Sequence, residues 1–391
     1  MSTSSPAQAS PVPRHPWWAT SAVGLATFSV VTTEMLPVGL LTPIADSLGA
    51  SVGTAGLMIS LPALLAALFA PLVVIATGGI DRRRILCALL GLLLVANVAS
   101  ALAPSIGGLL AARMLVGFCM GGIWAIAGGL AARLVPSARI GLATSIIFGG
   151  VAAASVLGVP LGALIGEALG WRWAFVVMAA FSAAVLLLHL WVVPALPVDG
   201  SVRARQFVQQ LGNRSLQQGL LLTLLLVAGH FIAFTYVRPL LTTLASIDAA
   251  WIGGLLFAYG MAGIVGNFIV GLLAARRPRG LLLAIALGLL LTPLLFLWTG
   301  GTPASGAVVL LLWGLAYGGV SVGLMTWMMT AAPKAVEIAT ALYVGVFNIG
   351  IALGAWGGGL LLDGIGLRAN LCVAAGFAAA ATLVVAGMRR Q

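Results

Sequence analysis

Apolar residues run along the chain in blocks of about twenty, each ended by a short polar, glycine-bearing or proline-bearing stretch. Blocks of that length match the roughly 30 Å hydrocarbon core of a bilayer at about 1.5 Å of rise per helical residue. They predict twelve helical spans, at 17–42, 52–77, 85–103, 107–132, 141–166, 173–193, 218–245, 249–275, 281–299, 306–331, 338–361 and 370–388. Residues 1–16 (MSTSSPAQASPVPRHP) are polar and proline-rich and read as a disordered tail. The apolar run after them is too long for a signal-peptide core and ends in no small-residue cleavage site. The longest polar connection, 194–217, follows the sixth span and separates 17–193 from 218–391 as a linker. The expected fold is an all-α polytopic membrane protein, twelve transmembrane helices in two six-helix bundles around a central cavity.

Composition removes the alternatives. Of 391 residues, 61% are hydrophobic and 7% charged. A water-facing globular surface needs about a quarter charged, so a soluble domain is excluded. The 51 glycines lie within apolar runs, where they let helices approach closely in lipid. Cys87, Cys119 and Cys372 each sit inside such a run and form no disulfide framework. A net charge of +11 raises the question of nucleic acid, but the basic residues come in short clusters between spans. Fifteen of them fall on one side of the predicted bundle, against Arg172 and Arg368 on the other. Under the positive-inside rule that places both termini in the cytoplasm, with the lipid bilayer and not a nucleic acid as the partner.

The halves echo each other. Gly158, Gly162, Glu167, Gly170 and Arg172 recur at a constant offset of 196 as Gly354, Gly358, Asp363, Gly366 and Arg368. Thr33 and Pro37 in the first span have counterparts in Thr235 and Pro239 of the seventh. Parallel repeats around a midplane site are a common architecture of secondary transporters.

Several motifs carry a resemblance. Thr77-Gly-Gly-Ile-Asp81-Arg82-Arg-Arg84 follows the second span, and Arg113-x-x-x-Gly117-x-x-x-Gly121 lies in the fourth. Gly158-Val-Pro160-Leu-Gly162 lies in the fifth, and Gly271-Leu-Leu-Ala-Ala275-Arg276-Arg277 ends the eighth. Together they resemble the major facilitator superfamily, specifically its drug:proton antiporter branch. Thr33-Glu34-Met-Leu-Pro37, Gly121-Gly-Ile-Trp124 and Gly229-His230 through Pro239 are similar to bacterial efflux permeases for purine ribonucleosides and for sugars. The resemblance implies a multi-pass protein of the bacterial inner membrane, sufficient as a monomer. It would be driven by the proton gradient without a bound cofactor, and would export a small organic molecule by alternating access. It further implies that Asp81 and Arg82 gate the cytoplasmic side, while Gly158, Pro160 and Gly162 pack and bend the fifth helix.

Glu34 is the one acid within the predicted spans. A carboxylate at that depth costs several kcal/mol unless it meets water, a cation or a proton, which makes it the candidate proton carrier and a candidate substrate contact. Arg113 and Arg238 fall at similar depth, so either is a candidate to hold the Glu34 charge. Arg does not itself lose a proton, so it tunes the carrier without being one. His230 is a second candidate for proton relay or substrate contact. Trp124, Phe234, Tyr236, Trp313 and Tyr317 suit a flat polar solute by ring stacking, and Asn348 adds an amide. Asn97 and Asn267 either contribute amides or tie helices together. A proton-driven importer or facilitator of sugars is the alternative within transport. An enzyme is not expected, since the loops are short and poor in acids, His and Cys; nor is an ATP-driven pump, since no phosphate-binding loop is present.

Overall fold

The computed structural model describes residues 15–76, 80–136, 139–197, 209–274, 278–299, 301–333 and 335–388. Thr77 to Gly79, Arg276, Arg277, Lys334, most of the polar tail and the centre of the linker lie outside them. Among the described residues, twelve helices are long and apolar enough to cross a membrane. They are α1 Pro16–Leu48, α2 Val52–Ala76, α3 Arg82–Leu102, α4 Ile106–Leu134, α5 Ile140–Leu169 and α6 Trp171–Val192 in the first half. The second half holds α7 Arg214–Phe234, α8 Ala249–Ala274, α9 Pro278–Thr299, α10 Pro303–Ala331, α11 Val336–Gly364 and α12 Leu367–Gly387.

Helix ends follow local chemistry. Asp81 caps α3 by accepting from the Arg83 backbone N–H at 2.8 Å, and Ser105 caps α4. Asn213 accepts from the backbone N–H groups of Ser215 and Leu216, which starts α7 four residues before the predicted 218. The first span is longer than predicted. Its helix gives way to a tighter 3-10 stretch at Leu36–Leu40, and a new helix, Leu41–Leu48, then begins. Pro43 stands in that segment's first turn, where a missing N–H costs nothing, so it does not end the span at Thr42. The seventh span is broken too, after Phe234. It resumes as the short turn Val237–Pro239 and a π turn, Leu240–Leu244.

The repeat seen in the sequence is a repeat of packing. Gly158 lies against Thr32 and Gly162 against Leu36, so α5 rests on α1. Gly354 lies against Ala228 and Gly358 against Ile232, so α11 rests on α7. Each partner is displaced by the same 196 positions as its glycine. A Cβ at Gly162 would stand 2.5 Å from the Leu36 carbonyl oxygen, so the approach requires glycine. Gly170 (φ +90°) and Gly366 (φ +108°) make the equivalent turns into α6 and α12 with backbone that only glycine adopts readily.

Each half has its own apolar core. Large apolar side chains such as Trp191 and Trp298, each 84% exposed, face outward where lipid would lie. Across the halves α2 packs on α11 and α5 on α8. A third cluster, containing Leu36, Leu40, Met58, Trp171 and Tyr236, joins the halves near the turns bearing Arg172 and Arg368, the arginine-poor end. Among the described residues, the hydrogen bonds crossing between the halves also lie at that end: Ser51 and Gly53 to Asp363, and Arg238 to Gly39 and Glu167.

Candidate functional site

The site grows from the two broken helices. Pro37 has no N–H, so the Thr33 carbonyl four residues earlier loses its helical partner. The 3-10 stretch shifts bonding from i−4 to i−3 and frees the Glu34 carbonyl as well. On α2, Pro62 does the same to the carbonyl of Met58. One side chain answers all three. Arg113 of α4, fully buried, donates from Nη1 to Thr33 O at 2.8 Å, from Nη2 to Glu34 O at 3.0 Å, and from Nε to Met58 O at 3.2 Å. A planar fork of fixed donors suits this task, which a point-charge ammonium would not perform. Gly117, one turn on, brings α4 against Pro62. Beside this clamp Asn97 donates to Thr33 Oγ1 at 3.2 Å, and Ser29 and Ser182 share a hydrogen bond of 3.0 Å. Asn97 thus ties α1 to α3.

In this state neither candidate arginine is hydrogen-bonded to the Glu34 carboxyl. Its side chain is 1% exposed, and its Oε1 has no hydrogen-bond partner among the described residues. Arg113 bonds the Glu34 backbone and not its carboxyl, with its three nitrogens directed at the carbonyls of Met58, Thr33 and Glu34. Arg238 is engaged elsewhere: it donates from Nη1 to Gly39 O at 3.1 Å and pairs with Glu167 across the halves at 3.2 Å. That is the single ion pair among the described residues. Glu34 is also not the only acid within the helices, since Glu167 lies in the last turn of α5 and Asp363 in that of α11.

The α7 break is met by neutral groups. Asn370 of α12 donates to the Ile232 carbonyl at 3.1 Å and to that of Gly358 at 3.0 Å. The Ile232 carbonyl is free because the Tyr236 N–H turns to Ala233 O instead. One turn before the break, His230 is 3% exposed and sits within an aromatic cluster. Its ring stacks on Tyr317 at 3.4 Å and on Phe234 at 4.7 Å, and Trp313 donates from Nε1 to its Nδ1 at 3.1 Å. With Nδ1 accepting, a neutral ring carries its proton on Nε2, which has no partner among the described residues. Phe231 meets the His230 ring edge-on, and Tyr259 of α8 stacks on Phe234 at 4.8 Å. Tyr317 lies close enough to Glu34 to interact with it electrostatically across the interface.

So His230, Phe234, Trp313 and Tyr317 come together as a group in the second half. Tyr236 and Trp124 do not join them. Tyr236 is fully buried in the seam at the arginine-poor end, where its hydroxyl donates to Ala355 O at 2.6 Å and its ring lies against Gly56 of the other half. Trp124 is half-buried and packs with the core of the first half. Asn348 is buried and donates to Val344 O of its own helix, while its Oδ1 has no partner among the described residues. Phe231, Tyr259 and Asn370 were not singled out in the sequence. Only the i−4 carbonyls of Pro37 and Pro62 were readable there as targets for Arg113.

Asp81 and Arg82 lie at the opposite, arginine-rich end. Asp81 accepts from the Leu196 N–H at 3.0 Å, and the Arg82 N–H donates to Leu196 O at 3.0 Å. Arg83 donates to Leu190 O, and Arg133 to the carbonyls of Leu196 and Pro197. These bonds bind α3, α4 and the segment after α6 within one half. Arg83 thus ties α3 to the end of α6.

A profile of the Major Facilitator Superfamily matches residues 23–337. The chain is 34% identical over 385 residues to the purine ribonucleoside efflux pump NepI of Salmonella paratyphi B, covering 97% of this chain and 96% of that one. It is 33% identical over 376 residues to a Pseudomonas aeruginosa protein named transcription regulatory protein OpdE, covering 95% and 92%. The crystal structure of the nucleoside transporter NupG superposes with a TM-score of 0.78 at 13% identity, covering 95% of this chain and all of that one.

Proposed function

The chain belongs to the major facilitator superfamily and is a membrane transporter, and from that premise we propose that it is a proton-coupled antiporter. It exports a small organic molecule, such as a purine nucleoside, a sugar or a drug, across the bacterial inner membrane. Both termini lie in the cytoplasm. The observation that carries this reading is the buried Glu34 carboxyl, whose Oε1 has no donor among the described residues while the Arg113 beside it bonds three backbone carbonyls. Such a carboxyl is most cheaply kept as the neutral acid, and becomes a proton donor once water or a cation reaches it. A flat solute stacks on the group of His230, Phe234, Tyr317 and Trp313 in exchange for one of the ring contacts these side chains make with one another here. The inter-half bonds at the arginine-poor end fit a transporter closed to the outside.

The mechanism follows from that arrangement. Solute enters from the arginine-rich side and reaches the rings of α7 and α10. The halves then rock, the arginine-poor seam opens, and Glu34 exchanges its proton in the new environment. Asp81 and Arg82, at the arginine-rich end, are placed to cross-link the cytoplasmic side in the opposite state.

Proteoliposomes test this with a panel of radiolabelled purine nucleosides, pentoses and aromatic drugs. Wild-type protein is expected to move one of them under an imposed pH gradient. Glu34→Gln should retain solute exchange at zero gradient and lose the gradient-driven component. Full gradient-driven transport by Glu34→Gln would overturn the carrier role.

A further inference from the structure

The repeat places an acid in the last turn of α5 and another in the last turn of α11: Glu167 and Asp363, 196 positions apart. Acids are disfavoured there, because a helix C-terminus already carries partial negative charge. Each meets its donors only on the opposite half. Glu167 pairs with Arg238 of α7 at 3.2 Å. Asp363 accepts from the Gly53 backbone N–H at 3.1 Å and from the hydroxyl of Ser51, at the N-terminal turn of α2. The positive end of α2 is where a carboxylate is favoured. Ser51 is held for this role, since its Oγ also accepts from the Thr54 N–H at 3.0 Å. Gly53 is what allows the contact, because a Cβ there would overlap the Asp363 carboxylate and the Gly359 backbone.

We propose that Glu167 and Asp363 are twin gate residues, two latches produced by one duplicated segment, that hold the arginine-poor side of the transporter closed. With the halves apart, each acid faces only the negative end of its own helix. With the halves together, each gains charge-assisted hydrogen bonds. The latches therefore favour one access state without touching solute, and their contribution depends on both halves being in register.

Spin-label distances measure this directly in full-length protein carrying Cys87→Ser, Cys119→Ser and Cys372→Ser. One label pair, Leu169→Cys with Ala250→Cys, reports the arginine-poor ends of α5 and α8. A second, Leu142→Cys with Leu272→Cys, reports the other ends of the same helices. All four positions are exposed. Asp363→Asn with Glu167→Gln is expected to shift the population toward a longer 169–250 distance and a shorter 142–272 distance. Ser51→Ala, which leaves every charge in place, should give a smaller shift in the same direction, and Asp363→Glu should restore part of it. A structural role alone predicts broadened distances at both ends with no reciprocal change. That outcome, or unchanged distances in the double variant, overturns the proposal. The readout needs neither substrate nor proton gradient, so it stands or falls separately from proton-coupled export.

Discussion

The broken helices α1 and α7 occupy equivalent places in the two halves, yet they are repaired differently. In α1 three carbonyls are taken by one permanently charged guanidinium, and a carboxyl is left unbonded beside it. In α7 the freed carbonyl is taken by a neutral amide, and the neighbouring space is filled by stacked rings around His230. The same fold unit thus places its charge in one half and its aromatic surface in the other. Duplication supplies the geometry of a break, and the residues that answer the break decide what each half can do.

The comparison is sharpest in stability, and five substitutions rank it. Arg113→Ala strands three buried carbonyls at a cost of about 1–3 kcal/mol each before relaxation, so it should lower the unfolding midpoint in detergent most. Arg113→Lys should recover only part of that loss, because one ammonium does not reach three acceptors on two helices. A midpoint for Arg113→Ala equal to that of wild type would show that the clamp carries nothing. Asn370→Ala strands the Ile232 carbonyl, and about 1–3 kcal/mol is expected on the same assay. An effect as large as that of Arg113→Ala would erase the contrast between charged and neutral repair. Tyr236→Phe removes one hydrogen bond, to Ala355 O, and should cost about 1 kcal/mol. Glu34→Gln is expected to change thermal stability least, by under ~0.5 kcal/mol, since no partner of Oε1 is lost. A large drop in the Glu34→Gln midpoint would mean that the carboxyl is a structural member after all.

Much of this molecule is written at the level of composition and period. Block length gave the twelve spans, and the offset of 196 marked glycines that the fold uses twice, as seats for α1 and α7. The partners of the buried arginines were harder to read. Depth alone pointed to a carboxylate partner for each, and Arg238 has one in Glu167 rather than Glu34. For Arg113 the acceptors are backbone atoms freed at the breaks made by Pro37 and Pro62, which a side-chain inventory does not contain. Asn370 was hidden for a similar reason, as its target exists only because the Tyr236 N–H abandons Ile232. Tyr259 lies on α8, among apolar residues at ordinary helical spacing, and nothing local marks it as part of the cluster around His230. Tyr236 is a candidate for that cluster because it lies on the seventh span with Phe234, a span expected to line the cavity. The helix break between them turns its ring to the seam instead.

Because one guanidinium grips α1 near Thr33 and α2 at Met58 from a third helix, those three helices are riveted together at the depth of the site. Sliding one past another would strip donors from a group that never sheds its charge. The six-helix unit is therefore stiff at its heart, and compliance during turnover falls to the glycine-lined joint between α2 and α11 instead.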